Sequence, residues 1–372
     1  MRIAFVVPSL GEREGQGGAD LHLLRRVAAA GHAVDVFAGN AADEVRALPG
    51  VRLFTMPRLP AWQFGNQMLG MAWSGLRLRP RDYDLVHADA AMTPRRADVV
   101  AVHTVTDRWL QMPEAWWREP GLRGANEALA TRVKARLEIA HARRARVVLA
   151  NSAMTTDDLV ERGVARDRVR VLPFAVDHER FRPPTGDERA DARASFGIDP
   201  GAFVVLTVGA HGPRKGLPAV LDAMSPPRPR EHLLAVGEHR SGRMAAAARA
   251  AGLRASMPGK VGDVRAAYWA GDVLAFPSRY DAFGLAVLEA MSCGLPVVVS
   301  RETGSHEIVG DAGIVLPEHS AAAIRAALDS LGADDALRAR MGARGRAVAE
   351  GRNWDTAGEI VLQTYAELQQ EV

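Results

Sequence analysis

Short apolar runs alternate with longer segments of helical periodicity along the whole chain. The runs in the first half are RIAFVV, AVDVFA, VRLFTM, DLVHA, DVVAVH, RVVLAN and VRVLPF, and those in the second half are FVVLTVG, HLLAVG, a weaker RASMPG, DVLAFP, LPVVVS and GIVLP. Runs rich in Val, Ile and Leu are typical of parallel strands buried on both faces, and helices between them are typical of right-handed crossovers. The pattern therefore predicts an α/β protein with doubly wound parallel sheets.

A polar stretch at residues 178–187, with the sequence HERFRPPTGD, divides the chain into two halves. Its prolines and glycine favour a linker. A chain of 372 residues exceeds what one hydrophobic core usually supports, and 48% apolar residues are enough for two cores. We therefore predict one domain at 1–180 and a second at 188–353. The terminal segment 354–372 has helical periodicity and no following strand, so we expect it to cross back to the first domain.

The cysteine count and the lengths of the apolar stretches indicate the cellular compartment. The single cysteine, Cys293, excludes an internal disulfide framework and a cysteine-rich metal cluster, and it favours a reducing compartment. The first apolar run is too short for a signal peptide. The longest charge-free stretch, residues 59–76, contains three glycines and several amides and would make a poor bilayer span. We expect a cytoplasmic protein without a transmembrane helix.

The net charge of +3 is unevenly distributed. Residues 1–180 carry 26 Lys or Arg against 21 Asp or Glu, whereas the rest of the chain carries 21 against 23. A positive excess suits an acidic partner or an anionic membrane surface, and it equally fits an arginine-rich solvated surface. Because the sequence has neither a basic helix with interleaved aromatics nor a zinc-finger spacing, we expect no nucleic-acid partner.

Ligands of open parallel sheets bind beyond the carboxyl ends of the strands. After the first strand, PSLGEREGQGGAD places Gly17 and Gly18 before a helix expected to begin near Ala19, where backbone amides could face a phosphate or a sugar. An ordinary surface turn fits the same residues. His103 ends the strand DVVAVH, and this position favours contact with a sugar or phosphate, although a lone histidine is usually structural. We interpret His87, at the end of a neighbouring strand, as a packing residue.

In the second half, the loop VGAHGPRKGL places Arg214 and Lys215 between glycines at the start of a helix. Paired cations on such a loop suit a diphosphate, and when a diphosphate is the leaving group of a reaction, negative charge builds on it as its bond breaks. Fixed cations that stabilise this charge lower the barrier without a metal ion. A solvated Arg-Lys pair on a loop is the alternative interpretation.

The most specific pattern is FPSRYDAFGLAVLEAMSCGLPVVVS. It carries Asp281 on a loop after a strand, a helix expected to begin near Phe283 or Gly284, and Glu289 eight residues after Asp281. Gly284 allows the backbone to approach a ligand closely, and the helix N-terminus favours an anion. Because a carboxylate accepts hydrogen bonds from the vicinal hydroxyls of sugars, Glu289 is a candidate for binding a ribose and Asp281 for binding a hexose. An amphipathic helix with two exposed acids is the alternative.

These segments, in this order, resemble the retaining GT-B glycosyltransferases of family 4 over most of the chain. The resemblance implies two Rossmann-like domains facing across a cleft, with the acceptor bound by the first and the nucleotide-sugar donor by the second. In the first half it identifies two sets of family positions, the loop glycines Gly17 and Gly18 and the cleft histidine His103. In the second half it identifies the diphosphate pair Arg214 and Lys215, the paired acids Asp281 and Glu289, and the phosphate-contacting residues Phe283, Gly284 and Leu285. It also identifies the strand ends at Gly209, Val236 and Gly237 and a base-contacting loop at Lys260, Val261 and Gly262.

Two departures from the family pattern bear on the donor. The first of the paired acids is Asp281, whereas the family has Glu, so its carboxylate reaches about one methylene less far. The start VGAHGPRKG also differs from the commoner VGR and is closer to members that build lipopolysaccharide core.

The resemblance implies transfer of a hexose from a nucleotide diphosphate sugar, with a UDP-sugar as the first expectation. The acceptor would be a glycan or lipid-linked molecule of cell-envelope or polysaccharide biosynthesis. The resemblance further implies retention of the anomeric configuration, with no covalent nucleophile, no metal and no other cofactor. Arg214 and Lys215 would then stabilise charge, Asp281 and Glu289 would orient the donor, and His103 would contact the sugar. The alternatives are a sugar-nucleotide epimerase of GT-B type and a non-catalytic nucleotide-sugar-binding protein.

Two groups of aromatic and apolar residues in the first half are candidates for acceptor binding. They are Trp62, Phe64, Met68, Met71 and Trp73 in one group, and Trp109, Trp116, Trp117 and Arg118 in the other. Aromatic rings beside arginines suit a sugar face or a lipid interface, and a buried core is the alternative. A peripheral contact with the cytoplasmic face of the inner membrane is therefore a hypothesis.

Overall fold

The computed structural model describes residues 1–11, 15–57, 63–112, 122–209, 213–237 and 242–371. The chain forms two compact units. The first unit takes in residues 1–111, the segment that ends at Ala175 and the C-terminal helix, and the second takes in residues 176–353.

The first unit is a seven-stranded parallel sheet with helices. Its strands are β1 (Arg2–Leu10), β2 (Ala33–Ala41), β3 (Val51–Thr55), β4 (Leu85–Asp89), β5 (Val99–Val102), β6 (Val147–Ala150) and β7 (Val169–Val171). Its helices are α1 (Gly15–Ala29), α2 (Gln63–Arg77), α3 (Thr106–Leu110), α4 (Leu122–Arg144), α5 (Ala153–Glu161) and, at the end of the chain, α14 (Trp354–Gln370). The strand order is β3-β2-β1-β4-β5-β6-β7.

The second unit is a six-stranded parallel sheet of the same kind. Its strands are β8 (Phe203–Val208), β9 (Glu231–Val236), β10 (Ala255–Gly259), β11 (Val273–Phe276), β12 (Val297–Val299) and β13 (Gly313–Val315). Its helices are α6 (Gly186–Ser195), α7 (Leu217–Ala223), α8 (Arg243–Ala250), α9 (Arg265–Ala270), α10 (Leu285–Ser292), α11 (His306–Val309), α12 (Ala321–Ala333) and α13 (Asp335–Glu350). The strand order is β10-β9-β8-β11-β12-β13.

The predicted doubly wound α/β architecture is confirmed, and each predicted apolar run contributes a strand to one of the two sheets. Every residue of β5, β6, β11 and β12 is buried. This burial explains why these strands appear in the sequence as continuous apolar runs rather than as alternating ones. The run VRVLPF yields only the three-residue strand β7, because Pro173 has no amide hydrogen for the ladder.

The two units divide between Ala175 and Val176, a few residues before the polar stretch 178–187. Phe181 shows the reason, because it packs edge-on against Tyr268 at 5.9 Å between ring centroids. The carbonyl oxygen of Phe181 also accepts a hydrogen bond from Ser292 Oγ at 2.5 Å. The start of the polar stretch therefore already belongs to the second core.

The C-terminal helix α14 packs on the first unit. Val361, Tyr365 and Leu368 are buried in the same apolar cluster as β1 and α1. The loop and strand beside it add polar contacts, since Arg146 donates to the Leu368 carbonyl at 2.8 Å and Arg170 donates to Thr364 Oγ1 at 3.1 Å. The last helix of the chain thus completes the first core, although the whole second unit precedes it in sequence.

Among the described residues, none of the helices combines the length and the hydropathy that a membrane span requires.

Candidate active site

Each sheet has one position where the strand order reverses, between β1 and β4 in the first sheet and between β8 and β11 in the second. Ligands of doubly wound sheets bind beyond the carboxyl ends of the strands at such a position. The predicted cations Arg214 and Lys215 follow β8, and the predicted acid Asp281 follows β11. In the first sheet, His103 and the residues around it likewise lie near the carboxyl ends of strands next to the reversal.

Lys215 and Arg214 lie on a 3-10 turn, Pro213–Lys215, that leads into α7. The Lys215 ammonium forms an ion pair with the Asp281 carboxylate, and Arg214 Nη1 lies 3.7 Å from the same carboxylate. The ammonium also lies 4.7 Å from the ring centroid of Phe276. Two cations and one carboxylate therefore share one site, which leaves a net positive charge for an anionic ligand.

Burial by itself would lower the pKa of Lys215 and raise that of Asp281. The two residues respond differently to their pairing. Burial remains the larger effect at Lys215, so its pKa is lowered, whereas the neighbouring cations Lys215 and Arg214 hold the pKa of Asp281 below its usual value. A bound diphosphate would favour the charged form of Lys215.

The cationic turn is fastened to the loop after β11 by three hydrogen bonds. The Arg214 carbonyl accepts one from Arg279 N at 2.8 Å and one from Ser278 Oγ at 2.9 Å. In return, Arg214 Nη1 donates to the Tyr280 carbonyl at 2.8 Å. Because both partners of the ion pair are fixed by backbone contacts, the site is assembled before any ligand arrives.

The loop that carries Asp281 is fastened in turn to the loop after β12. Asp281 N donates to the Glu302 carbonyl at 2.9 Å, and its own carbonyl accepts from Gly304 N at 2.8 Å. Ser305 N donates to the Phe283 carbonyl at 2.7 Å. Gly284 has φ 85°, and a Cβ added there would lie 2.8 Å from the Thr303 methyl group. Only glycine therefore fits between these two loops.

Helix α10 begins at Leu285, and Gly284 is its N-cap residue. In this first turn Val287 N donates to the Gly284 carbonyl at 2.9 Å. The amide groups at the N-terminus of a helix, with the positive end of its dipole, favour an anion there. Four residues along the helix, Glu289 is half-buried and its Oε2 accepts a hydrogen bond from the Tyr268 hydroxyl at 2.5 Å. Burial raises the pKa of Glu289, and the hydrogen bond from Tyr268 opposes this shift.

The remaining predicted donor residues lie around the ends of β8, β9 and β10. Gly209 has φ 128°, and a Cβ there would lie 3.7 Å from Lys215 Cε. Gly237 lies so close to it that an added Cβ would be 1.7 Å from the Gly209 oxygen. Lys260 is exposed and Val261 is half-buried on the loop after β10. The predicted contact of this loop with the base stays a prediction.

In the first unit, His103 directly follows β5 and lies between two carboxylates. Its Nε2 is 3.3 Å from Asp20 Oδ1 and 3.4 Å from Asp89 Oδ1, and the three side chains are at most 9% exposed. Gln16 donates to the other oxygen of Asp89 at 2.7 Å, and the ring of Phe174 stacks on the imidazole at 5.6 Å. Asp20 comes from α1, the helix that follows β1, and Asp89 comes from the end of β4. The reversal point lies between β1 and β4.

The charges in this cluster follow from its burial and its geometry. Burial alone would lower the pKa of His103, but the carboxylates of Asp20 and Asp89 outweigh it and raise that pKa to about 10. Burial and the neighbouring Asp89 raise the pKa of Asp20 to about 7. Burial would raise the pKa of Asp89, but the charge of His103 outweighs this effect, so the pKa of Asp89 is lowered. His103 is therefore an imidazolium at neutral pH.

The cluster has the residue types that bind metal ions, and its ligand atoms lie within 4.8 Å of one another. The sequence showed no acidic triplet or histidine cluster, because these three residues come from three separate elements. A metal ion at this cluster would need the lone pair of a neutral imidazole, so His103 would have to lose a proton to bind it. The prediction of a metal-independent enzyme remains a prediction.

The imidazolium makes the stability of the first unit depend on pH. Its folded-state pKa of about 10 exceeds the ordinary value of 6.5, so its contribution is complete below pH 6.5 and is lost as the pH rises through 10. We expect the urea midpoint of the protein to fall between pH 7 and 10, and to fall less in His103→Gln, which keeps a donor without a titrating group. An equal fall in both proteins would contradict the charge assignment.

The structure corrects the prediction for the first glycine-rich loop. Helix α1 begins at Gly15 rather than near Ala19, so Gly17 and Gly18 lie in its first turn, where both are buried. They therefore do not form a loop before the helix. Their position near the carboxyl end of β1 is retained, and their predicted contact with the donor stays a prediction.

His87 is buried, as its interpretation as a packing residue requires. Its ring meets Phe5 edge-on at 4.9 Å, and its Nδ1 lies 2.5 Å from the Tyr365 hydroxyl. Burial lowers the pKa of His87 to about 4, so it is neutral beside the His103 imidazolium.

Sequence reasoning missed Asp20, Asp89 and Tyr268. Asp89 gave a usable signal, because it is the last residue of a buried strand, at the edge where ligands bind. Asp20 and Tyr268 gave none, since each lies within an apolar helical pattern and acquires its partner only in the folded protein.

Part of the predicted acceptor surface can be placed. Met71 is buried, and Trp73 packs edge-on against Phe37 with 6.0 Å between the ring centroids. Lys134 Nζ lies 6.0 Å from the ring centroid of Trp109. These contacts favour the core interpretation for Met71 and Trp73. Side chains that lie outside the described residues are those of Trp62, Phe64, Trp116, Trp117 and Arg118.

Comparison with known proteins agrees with the fold. Residues 21–180 match the model of the family described as Glycosyltransferase Family 4, and residues 188–348 match the model described as Glycosyl transferases group 1. The chain is similar to a D-inositol 3-phosphate glycosyltransferase of Streptomyces bingchenggensis, with 30% identity over 97% of this chain and 86% of that protein.

Solved structures also match the chain over nearly its whole length. Sucrose-phosphate synthase from Thermosynechococcus elongatus matches with a TM-score of 0.80 and 22% identity, over 100% of both chains. HepE of Anabaena, in complex with UDP and glucose, matches with a TM-score of 0.74 and 21% identity, over 98% of this chain and 99% of that one. The chain belongs to the group 1 glycosyltransferases of GT-B fold, and it is a glycosyltransferase.

Proposed function

We propose that the protein is a retaining, metal-independent hexosyltransferase that uses a nucleotide diphosphate sugar, with a UDP-sugar as the first candidate. The observation that carries this proposal is the preassembled site of Lys215, Arg214 and Asp281 beside the N-terminus of α10. Two cations and the N-terminus of a helix fit a diphosphate, and the acids Asp281 and Glu289 fit hydroxyl groups.

The roles of the residues follow from these charges. Lys215 and Arg214 stabilise the negative charge that develops on the departing diphosphate, so the protein's own cations replace a metal ion. Asp281 exchanges part of its ion pair for hydroxyls of the donor hexose, and Glu289 holds the ribose. Gly284 and Leu285 offer backbone amides to the phosphates.

His103 has a restricted part in this reaction. Because its pKa is raised to about 10, it carries a proton at neutral pH and can donate a hydrogen bond to the sugar but cannot accept the acceptor's proton. We therefore assign the acceptor's proton to an oxygen of the leaving phosphate. Such a transfer on one face of the sugar retains the anomeric configuration and needs no covalent nucleophile.

The acceptor is a glycan or lipid-linked molecule of cell-envelope or polysaccharide biosynthesis in this proposal, and the enzyme acts in the cytoplasm or on the cytoplasmic face of the inner membrane. The name of the Streptomyces relative makes D-inositol 3-phosphate a specific alternative acceptor to test. The structure of HepE was solved in complex with UDP and glucose, so UDP is the first nucleotide to test.

A thermal-shift screen in the presence of a chelator tests the donor site. We expect the purified protein to be stabilised by one of UDP, GDP and ADP, and further by one of its sugar conjugates, since ligand that binds only the folded state raises the melting temperature. Transfer to an acceptor panel that includes D-inositol 3-phosphate should persist in the chelator, and the anomeric configuration of the product reports retention. Activity only after a divalent cation is added back would overturn the metal-independent mechanism.

A further inference from the structure

Tyr268 is the one described side chain that hydrogen-bonds the carboxylate of Glu289. It lies on the short helix α9, is 1% exposed, and places its hydroxyl 2.5 Å from Glu289 Oε2. The edge-on contact with Phe181 at 5.9 Å fixes the tilt of its ring. The hydroxyl therefore has a defined direction, and that direction is toward one oxygen of the carboxylate.

The two oxygens of Glu289 are in different situations. Oε2 accepts the bond from Tyr268, whereas Oε1 has no hydrogen-bond partner among the described residues. A glutamate side chain on a helix has three rotatable bonds, and holding it in one orientation costs rotamer entropy on ligand binding. The bond from Tyr268 supplies this ordering before the ligand arrives.

We propose that Tyr268 is a positioning residue that aims the Glu289 carboxylate at the ribose hydroxyls of the donor nucleotide. The proposal rests on the ribose-binding role of Glu289 proposed above. Tyr268 itself does not touch the ligand in this arrangement, since its hydroxyl is already committed to Oε2 and its ring is buried.

The same contact opposes protonation of Glu289. Burial raises the pKa of Glu289, while the bond from Tyr268 and the charge of Arg180 lower it. Cys293 lies one turn further along α10, and burial raises the pKa of its thiol, so it adds no charge near neutral pH. Loss of the Tyr268 hydroxyl would therefore raise the pKa of Glu289 further, and its carboxylate form would be lost at a higher pH.

A purely structural role for Tyr268 makes a different prediction. Tyr268→Phe keeps the ring, its burial and its contact with Phe181, so a side chain needed only for packing would tolerate this change. A matched control is Tyr83→Phe, because the Tyr83 hydroxyl also donates to a carboxylate, that of Asp35 at 2.9 Å, near the amino ends of the strands in the first sheet.

The test compares binding of UDP, or of whichever nucleoside diphosphate gives the largest thermal shift, with binding of its 2′-deoxy analogue. Calorimetry on wild type, Tyr268→Phe, Glu289→Gln and Tyr83→Phe gives the dissociation constants. We expect Tyr268→Phe to weaken binding of the ribonucleotide about 10-fold, as loss of a hydrogen bond to a charged group does. It should also lower the preference for the ribonucleotide over the deoxy analogue, raise KM with little change in kcat, and shift the acidic loss of binding to higher pH.

The outcomes separate this inference from the function on which it rests. Binding and ribose preference like wild type in Tyr268→Phe, together with loss of both in Glu289→Gln, would overturn the positioning role and leave the ribose role of Glu289 intact. Wild-type behaviour in both variants would overturn the ribose role. An equal loss in Tyr83→Phe would show that the effect of Tyr268→Phe is general destabilisation, which also overturns the inference.

Discussion

Lys215→Ala should lower kcat/KM by about 10²- to 10³-fold, the range observed when one preorganised group that stabilises developing charge is removed. The ammonium is fixed by its ion pair with Asp281 and by the ring of Phe276, so it needs no reorganisation as the diphosphate leaves. Its removal leaves Arg214 as the only cation of the pair, at 3.7 Å from the Asp281 carboxylate. We expect most of the loss in kcat, because the charge on the leaving group is greatest in the transition state.

Steady-state kinetics on wild type, Lys215→Ala and Lys215→Arg would measure this loss, and Lys134→Ala is a control that removes a lysine from α4 in the first unit. Lys215→Arg keeps the charge and should recover part of the activity. The circular dichroism of Lys215→Ala should match that of wild type, because Asp281 retains Arg214 and its backbone hydrogen bonds. Near-normal turnover in Lys215→Ala would remove this residue from the mechanism.

Gly216→Ala should destabilise the second unit by about 3 kcal/mol and abolish donor binding. Gly216 is the N-cap of α7 at φ 78°, and a Cβ there would lie 2.0 Å from the backbone oxygen of Pro277. The left-handed backbone costs a non-glycine residue about 1–2 kcal/mol, and overpacking against a neighbour adds about 1–3 kcal/mol. The collision pushes the cationic turn away from the strand end that leads to Asp281, so the ion pair cannot form as it does in wild type.

Gly242→Ala is the matched control for this substitution. Gly242 is the N-cap of α8 at φ 62°, and an added Cβ would meet nothing within 4 Å among the described residues. The two variants share the backbone strain, and only Gly216→Ala adds the collision. Chemical denaturation and nucleotide titration of both variants would separate the cost of the backbone strain from the cost of the collision. Equal losses of stability and of nucleotide binding in the two variants would show that the close approach to Pro277 is unimportant.

Several site residues could be predicted because the information is local. In a parallel sheet each strand ends at the ligand-binding edge, so the residue that follows an apolar run is already placed near the site. This reasoning found Arg214, Lys215, Asp281 and His103, and the structure places each of them directly after a strand or on the turn that follows it. Their chemical roles are not contained in that placement, and they rest on the experiments above.

The contacts between distant segments could not be predicted in this way. The carboxylates around His103 come from α1 and β4, and no spacing in the sequence brings Asp20, Asp89 and His103 together. The same is true of Tyr268 and Glu289, which lie on different helices. The early start of α1 was missed because GQGG has low helix propensity, and burial of Gly17 and Gly18 outweighs that propensity.

The sequence alone determined the fold class, the two sheets and the order of the candidate residues along their edges, because hydrophobic periodicity and strand ends are properties of short segments. Only the tertiary structure decided the pKa shifts of His103 and Glu289, the pairing of Lys215 with Asp281 and the two carboxylates that face His103. These features depend on burial and on distances between segments far apart in the chain, and a pKa or an ion pair is set by the groups that folding brings within a few ångströms.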